Sequence, residues 1–307
     1  MQYLTVKSGD QVPSNATVIN VNSPIGSFLQ PTGFDGPRGV SSLARELSTV
    51  MEAARLFRRT RADRRSRALL PYAGSHRVPA HAPVLLIPGF MAGDPTLRAM
   101  SSMLRQQGFR TYRAQIRVNV GCTREAAERL ERRLETIATR RDRKVTIVGH
   151  SLGGMLARGL AARRPDLIEG IVSMGSPVLA PGAVHKVLAW DAQMLSRLTR
   201  AGFGGMMSAD CFGGECARLS WEESQVAIDP DLAFTAIYSK RDGIVDWRAC
   251  LDPAAQHVEV RTSHCGMAVD PAVMDHVLAA LRDQQVRRAS REAAPRDEAD
   301  SLRVVHT

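Results

Sequence analysis

The stretch Lys144–Arg158, KVTIVGHSLGGMLAR, does most to restrict the fold, because its hydrophobic period changes at a single residue. Val145, Ile147 and Val148 form a short β-branched run suited to a buried parallel strand, whereas Leu152, Met155, Leu156, Gly159 and Leu160 recur at helical spacing. The switch falls at Ser151. The segment Gly149-His150-Ser151-Leu152-Gly153 fits G-x-S-x-G, in which small flanking residues let the chain turn sharply from strand into helix. The serine hydroxyl then projects from the top of a sheet, beside the unpaired N–H groups that open the new helix.

A surface serine in a Gly-rich turn gives the same short pattern, and the strand before it and helix after it separate the two readings. At these residues the chain resembles the α/β-hydrolase superfamily, and GHSLGGMLAR is similar to the elbow of bacterial lipases and esterases. The resemblance covers roughly Ala82 to Leu281. It implies a mainly parallel sheet flanked by helices, with a lid insertion, and a nucleophilic Ser151 followed in the chain by an acid and then a histidine.

A neutral serine is a poor nucleophile, so a base must take its proton and an acid must orient that base. Ala233–Tyr238 reads as a strand, and Ser239–Val245 follows it as a turn, which places Asp242 just past a strand end. An Asp-Gly turn is the plain alternative. The resemblance of RDGIVDW to the acid-bearing loop of lipases favours Asp242, with Asp246 as runner-up. His257–Arg261 reads as the next strand, and His264 lies in the loop beyond it as the expected base. His257, within that strand, and His276, in the last helix, read as structural; His150 reads as a packing residue pointing away from the serine; His76, His81, His185 and His306 have no partner pattern.

The resemblance also implies an oxyanion hole of two backbone N–H groups. One is that of Leu152, directly after the serine. The strand Pro83–Ile87 ends in Pro88-Gly89-Phe90, and the second donor falls on Phe90, with Met91 as the weaker candidate.

Elsewhere strand and helix alternate, as in a mainly parallel sheet covered on both sides. Asp94 caps a helix through Gln107, Phe109–Ile116 is the next strand, and Thr123 caps a charged helix buried along Ala126, Leu130, Leu134 and Ile137. Ile171–Gly175 is a further strand and Pro271 starts the last helix. The span 177–231 is too long for an ordinary connection and reads as a lid. In it Trp190, Met194, Leu195 and Leu198 share a helical face, and Gly202–Met207 is a Gly/Met-rich hinge whose Phe203, Met206 and Met207 form an adaptable apolar wall suited to acyl chains. The hydrolase domain is expected over residues 81–286, with a disordered tail at 287–307.

Residues 1–80 read as an N-terminal arm with a basic amphipathic helix. Val40, Leu43, Leu47, Val50, Met51 and Ala54 form its stripe, and Arg55, Arg58, Arg59, Arg61, Arg64, Arg65 and Arg67 follow. Such a helix suits an anionic membrane, although a solvated face is the commoner meaning of a charge run. The formal net charge is +10, yet few aromatics accompany the arginines and no nucleic-acid motif occurs. No signal peptide or membrane-spanning segment is read, so the expected location is cytoplasmic, peripheral to membrane at most.

Cysteines 122, 211, 216, 250 and 265 form no zinc pattern, and no metal or other cofactor is expected. Cys211 can reach Cys216 and Cys250 can reach Cys265, but free thiols are the default in a reducing cytosol. The expected activity is cleavage of carboxylic esters of medium acyl length, from small molecules or lipids, through an acyl-enzyme on Ser151, Asp242 and His264. A thioesterase or acyltransferase would use the same residues. An inactive membrane-binding scaffold on this fold is the remaining alternative.

Overall fold

The computed structural model describes residues 25–69 and 82–293. His76, His81, His306 and the chain from residue 294 lie outside them, as do the first ten residues on which the absence of a signal peptide was read.

Six parallel strands form one sheet: β1 (Pro83–Ile87), β2 (Arg110–Arg113), β3 (Val145–His150), β4 (Ile168–Met174), β5 (Ala233–Tyr238) and β6 (Gln256–Glu259), in the order β2-β1-β3-β4-β5-β6. Successive strand residues point to opposite faces. Leu85 and Ile87 therefore join Leu130, Leu134, Ile137, Leu156 and Leu160 on one side, contributed by α4 (Thr123–Arg141) and α5 (Leu152–Arg163). Val84 and Leu86 face Met100, Leu104, Val273, Val277 and Leu281, from α3 (Arg98–Gln106) and α9 (Pro271–Ala293). The direction of strand addition reverses between β1 and β3, and a crevice at such a point is where open α/β sheets bind ligands.

Several boundaries move. The first turn of the Asp94 helix is a 3₁₀ turn, and Asp94 accepts the Gln115 N–H at 3.0 Å rather than capping. Only Arg110–Arg113 of the expected Phe109–Ile116 strand pairs. Cys122, not Thr123, occupies the N-cap of α4. The tail expected from residue 287 does not begin there, because α9 continues to Ala293 and carries Arg291 into contact with Asp231 at 2.9 Å.

The 177–231 span holds three helices, α6 (Lys186–Arg200), α7 (Asp210–Gly213) and α8 (Glu215–Gln225). Ala192, Leu195 and Ser196 are the buried residues of α6, while Trp190 (58% exposed) and Leu198 face outward. The expected common face of Trp190 and Leu195 is thereby split. The arm holds α1 (Val40–Glu46) and α2 (Ser48–Leu69). Its apolar stripe is not the packed face: Val40, Leu47, Val50 and Met51 are exposed, and buried Glu52 faces the hydrolase core.

Candidate active site

Ser151 sits where β3 meets α5, with φ 51° and ψ −121°. Positive φ at a non-glycine residue costs roughly 1–3 kcal/mol and persists only when the surroundings enforce it. They do so here through close packing. A Cβ on Gly149 would lie 2.4 Å from the Gly153 carbonyl carbon, and one on Gly153 would lie 2.2 Å from the Ile87 carbonyl oxygen. The Ser151 N–H donates to the Met174 carbonyl at 2.8 Å, which ties the elbow to the neighbouring strand.

Asp242 follows β5 and His264 follows β6, so both lie at the sheet edge that carries the elbow. His264 Nδ1–H donates to Asp242 Oδ2 at 2.7 Å, and both side chains are buried. The other carboxylate oxygen accepts the N–H groups of Ile244 at 2.8 Å and Val245 at 2.7 Å. Asp242 is therefore fixed in rotation, and His264 keeps its Nε2 lone pair. Burial acts to lower the His264 pKa, but the charge and hydrogen bond of Asp242, helped by Glu46, raise it above 6.5 overall. Among the described residues no hydrogen bond joins Ser151 Oγ to His264. Asp246, the runner-up, accepts the N–H of Asp35 at 3.1 Å and pairs with Arg248 at 2.7 Å. It anchors the arm.

The Met91 N–H donates to the Asn119 carbonyl at 3.0 Å, which removes Met91 from the expected oxyanion hole. The N–H groups of Phe90 and Leu152 have no hydrogen-bond acceptor among the described residues. Buried Asn119 braces the Phe90 loop a second time, donating its side-chain N–H to the Pro88 carbonyl at 3.0 Å, while its own N–H donates to the Ala92 carbonyl at 2.8 Å.

His150 does more than pack. Its Nε2–H donates to the His264 carbonyl at 3.0 Å, and the two rings lie 4.9 Å apart. Burial, then the nearby His264, lowers its pKa to about 4, so it stays a neutral donor at ordinary pH. His257 Nε2 pairs with the Asp252 carbonyl at 2.7 Å, His185 accepts the Val187 N–H at the start of α6, and His276 lies on the exposed side of α9.

The arm supplies residues that the sequence reading missed. Glu46 accepts the N–H groups of Gly243 (2.9 Å), His264 (3.0 Å) and Cys265 (2.9 Å), spanning the loops of both Asp242 and His264. Glu52, only 2% exposed, accepts the Ser263 N–H at 2.9 Å and its hydroxyl at 2.6 Å. Arg55 pairs with Asp270 at 2.5 Å and Arg59 with Asp275 at 2.7 Å. With Asp63, these two glutamates are the acids between residues 36 and 70, and their isolation among arginines was the available signal.

A cavity of about 190 Å³ opens beside Ser151, between α5 and the helices of the 177–231 span. Leu156, Leu188, Ala192, Met207, Phe212 and Trp221 line it, and Ile25 and Leu29 of the arm close one side. Of the expected Gly/Met wall, only buried Met207 faces the cavity; Phe203 is 60% exposed. The Met207 N–H donates to the Val120 carbonyl at 2.7 Å, which anchors that end of the segment.

Residues 82–205 match the family model of the alpha/beta hydrolase fold. A triacylglycerol lipase of Vibrio cholerae serotype O1 is 29% identical over 98 residues, 30% of this chain and 31% of that protein, so the match spans about a third of the relative's length. The mature form of Bacillus licheniformis lipase BlEst2 superposes with a TM-score of 0.52 at 13% identity, over 67% of this chain and 94% of that one. Its propeptide form gives the same score and identity over 67% of this chain and 51% of that one. At such identity the two structures show the shared fold.

Proposed function

The chain belongs to the α/β-hydrolase superfamily and is lipase/esterase-like, and from that premise we propose that it cleaves carboxylic esters through an acyl-enzyme on Ser151. The observation that carries this reading is the 2.7 Å pair of His264 and Asp242 on the same sheet edge as the Ser151 elbow.

Ser151 Oγ attacks the ester carbonyl while His264 Nε2 takes its proton. Asp242 stabilises the imidazolium, and the free N–H groups of Phe90 and Leu152 donate to the oxyanion. The tetrahedral intermediate collapses as His264 returns the proton to the departing alcohol. Water, deprotonated by the same imidazole, then attacks the acyl-enzyme and releases the acid. Each proton transfer uses one ring nitrogen, and the mechanism requires no cofactor.

The apolar cavity beginning at Ser151 supports an acyl chain of several methylenes as the group transferred to the enzyme. The 177–231 span acts as its lid, and Gly202–Gly205 is the hinge. Gly202 and Gly205 hold φ of +94° and +81°, and a Cβ there would meet nothing within 4 Å, so the segment has both the conformational freedom and the space to move. Fluorophosphonate labelling tests the assignment. Wild type is expected to gain one covalent adduct, and Ser151→Ala, folded by circular dichroism, none.

The exposed ridge of Leu47, Val50, Met51 and Phe57, beside the exposed Arg58 and Arg61, supports peripheral contact of the arm with an anionic membrane surface. Among the described residues no helix is long and apolar enough to cross a membrane.

A further inference from the structure

Cys122, at the N-cap of α4, meets Cys211 of α7 and Cys216 of α8, and the three sulfur atoms lie within 4.8 Å of one another. The chain has five cysteines, and the spacing of these three in sequence carried no ligand signature; the fold alone assembles them. Cys122 Sγ and Cys216 Sγ are 3.5 Å apart. That separation is far beyond the ~2.05 Å of a disulfide. It is close to the separation of two thiolates sharing one cation, since sulfurs bound tetrahedrally at about 2.3 Å stand about 3.8 Å apart.

We propose that Cys122, Cys211 and Cys216 form a three-thiolate site for a soft d¹⁰ cation. Sulfur ligands select Zn²⁺ and Cu(I) over hard divalent ions, and three thiolates satisfy a trigonal Cu(I) or leave a tetrahedral Zn²⁺ one open position. Each thiol loses its proton to solvent as its sulfur–metal bond forms, and no electron is transferred. All three cysteines are only partly buried, which leaves a cation a way in from the surface.

The site has a mechanical consequence. Cys122 belongs to the core layer that packs on the sheet, whereas Cys211 and Cys216 belong to the 177–231 span, and Cys211 itself lines the cavity beside Ser151. A bound cation would fasten α7 and α8 to the start of α4 at the cavity rim, close to the end of the Gly202–Gly205 hinge, since a Cβ on Gly121 would lie 3.4 Å from the Gly205 carbonyl oxygen. The inference rests on the thiol geometry and stands whether or not Ser151 is a nucleophile.

The test is titration of the reduced full-length protein with Co²⁺ under anaerobic conditions, followed by displacement with Zn²⁺ and, separately, loading with Cu(I). One equivalent of Co²⁺ is expected to give thiolate-to-metal charge-transfer absorption with the intense visible bands of a tetrahedral site. Zn²⁺ should bleach those bands and raise Tm by several degrees at roughly 100-fold excess over Kd. Stronger retention of Cu(I) than of Zn²⁺ against a common chelator would identify the trigonal form. Cys122→Ser, Cys211→Ser and Cys216→Ser should each remove the charge-transfer band, while Cys250→Ser and Cys265→Ser leave it intact. X-ray absorption on the Zn²⁺-loaded wild type needs no variant and should count three sulfurs at about 2.3 Å. Binding no greater than in the triple serine variant, a shell with fewer than three sulfurs, or a Cys122–Cys216 disulfide in protein purified under reducing conditions would overturn the proposal.

Discussion

Glu46 accepts the backbone N–H of His264 at 3.0 Å, across 218 positions of sequence, and its second oxygen accepts that of Cys265 at 2.9 Å. The loop that carries the expected base is thus held by a helix of the N-terminal arm. Glu46→Gln keeps the shape but removes the charge and one acceptor. Hydrogen bonds to a charged group contribute about 1.5–3 kcal/mol each, so the variant is expected to lose stability on that scale and roughly tenfold in kcat/KM.

The pH profile separates positioning from a merely structural role. As the proposed base, His264 would act only when neutral, so activity is expected to fall as pH drops through its raised pKa. Because Glu46 contributes to that elevation, Glu46→Gln should move the acidic limb to lower pH. The same elevation gives His264 a stabilising contribution that is full below about 6.5 and disappears as pH rises through the folded value; the variant should show less of that alkaline loss. An unshifted limb would leave Glu46 as a simple brace.

Asp242 and Asp246, four residues apart in sequence, hold different partners: Asp242 pairs with His264, and Asp246 with Arg248 and Asp35. Asp242→Asn should lower kcat by orders of magnitude, because the amide cannot stabilise the imidazolium and admits the wrong tautomer. Asp246→Asn should cost mainly stability, through the lost Arg248 pair and the weakened contact with Asp35. Steady-state kinetics and thermal melts of the two variants check the ranking, and a reversed order would assign the acid to Asp246.

The positions of Ser151, Asp242 and His264 were legible because each lies just past the end of a strand, a strictly local signal. Ser151 was the clearest, since a strand period and a helix period meet at it. Glu46, Glu52, Asn119 and the second role of His150 were not legible, because each acts through a partner distant in sequence. The stripe on α1 and α2 misled for a related reason: apolar spacing identifies a face, yet the surface receiving this helix offers unpaired N–H groups at 263–265, so the carboxylate face docked instead. The thiol cluster was hidden because its members are 89 and 5 positions apart, and only the packing of α8 against α4 brings them together.

The cavity beside Ser151 implies a chain-length trend. Each buried methylene adds roughly 0.8 kcal/mol, or roughly fourfold, so butanoate to octanoate esters should exceed acetate esters in kcat/KM until the cavity is filled. A Gly202→Ala and Gly205→Ala double variant places Cβ atoms at strained positive φ and should slow the longer esters while sparing acetate. A flat profile, or a preference for acetate indifferent to these substitutions, would make the span a fixed cap.

For the arm, co-sedimentation with vesicles containing phosphatidylserine should exceed that with phosphatidylcholine alone and weaken with salt. Met51→Glu with Phe57→Glu should reduce it, since both side chains project from the exposed ridge. Equal recovery with both vesicle types, unaffected by the substitutions, would remove the membrane role.

The most direct test of the central claim is rapid quenching of a single turnover with a chromogenic medium-chain ester, followed by intact mass and peptide mapping. A burst of alcohol of about one equivalent is expected with the acyl group on Ser151, and neither in Ser151→Ala. Turnover without an acyl-enzyme, or undiminished turnover in folded Ser151→Ala, would contradict it.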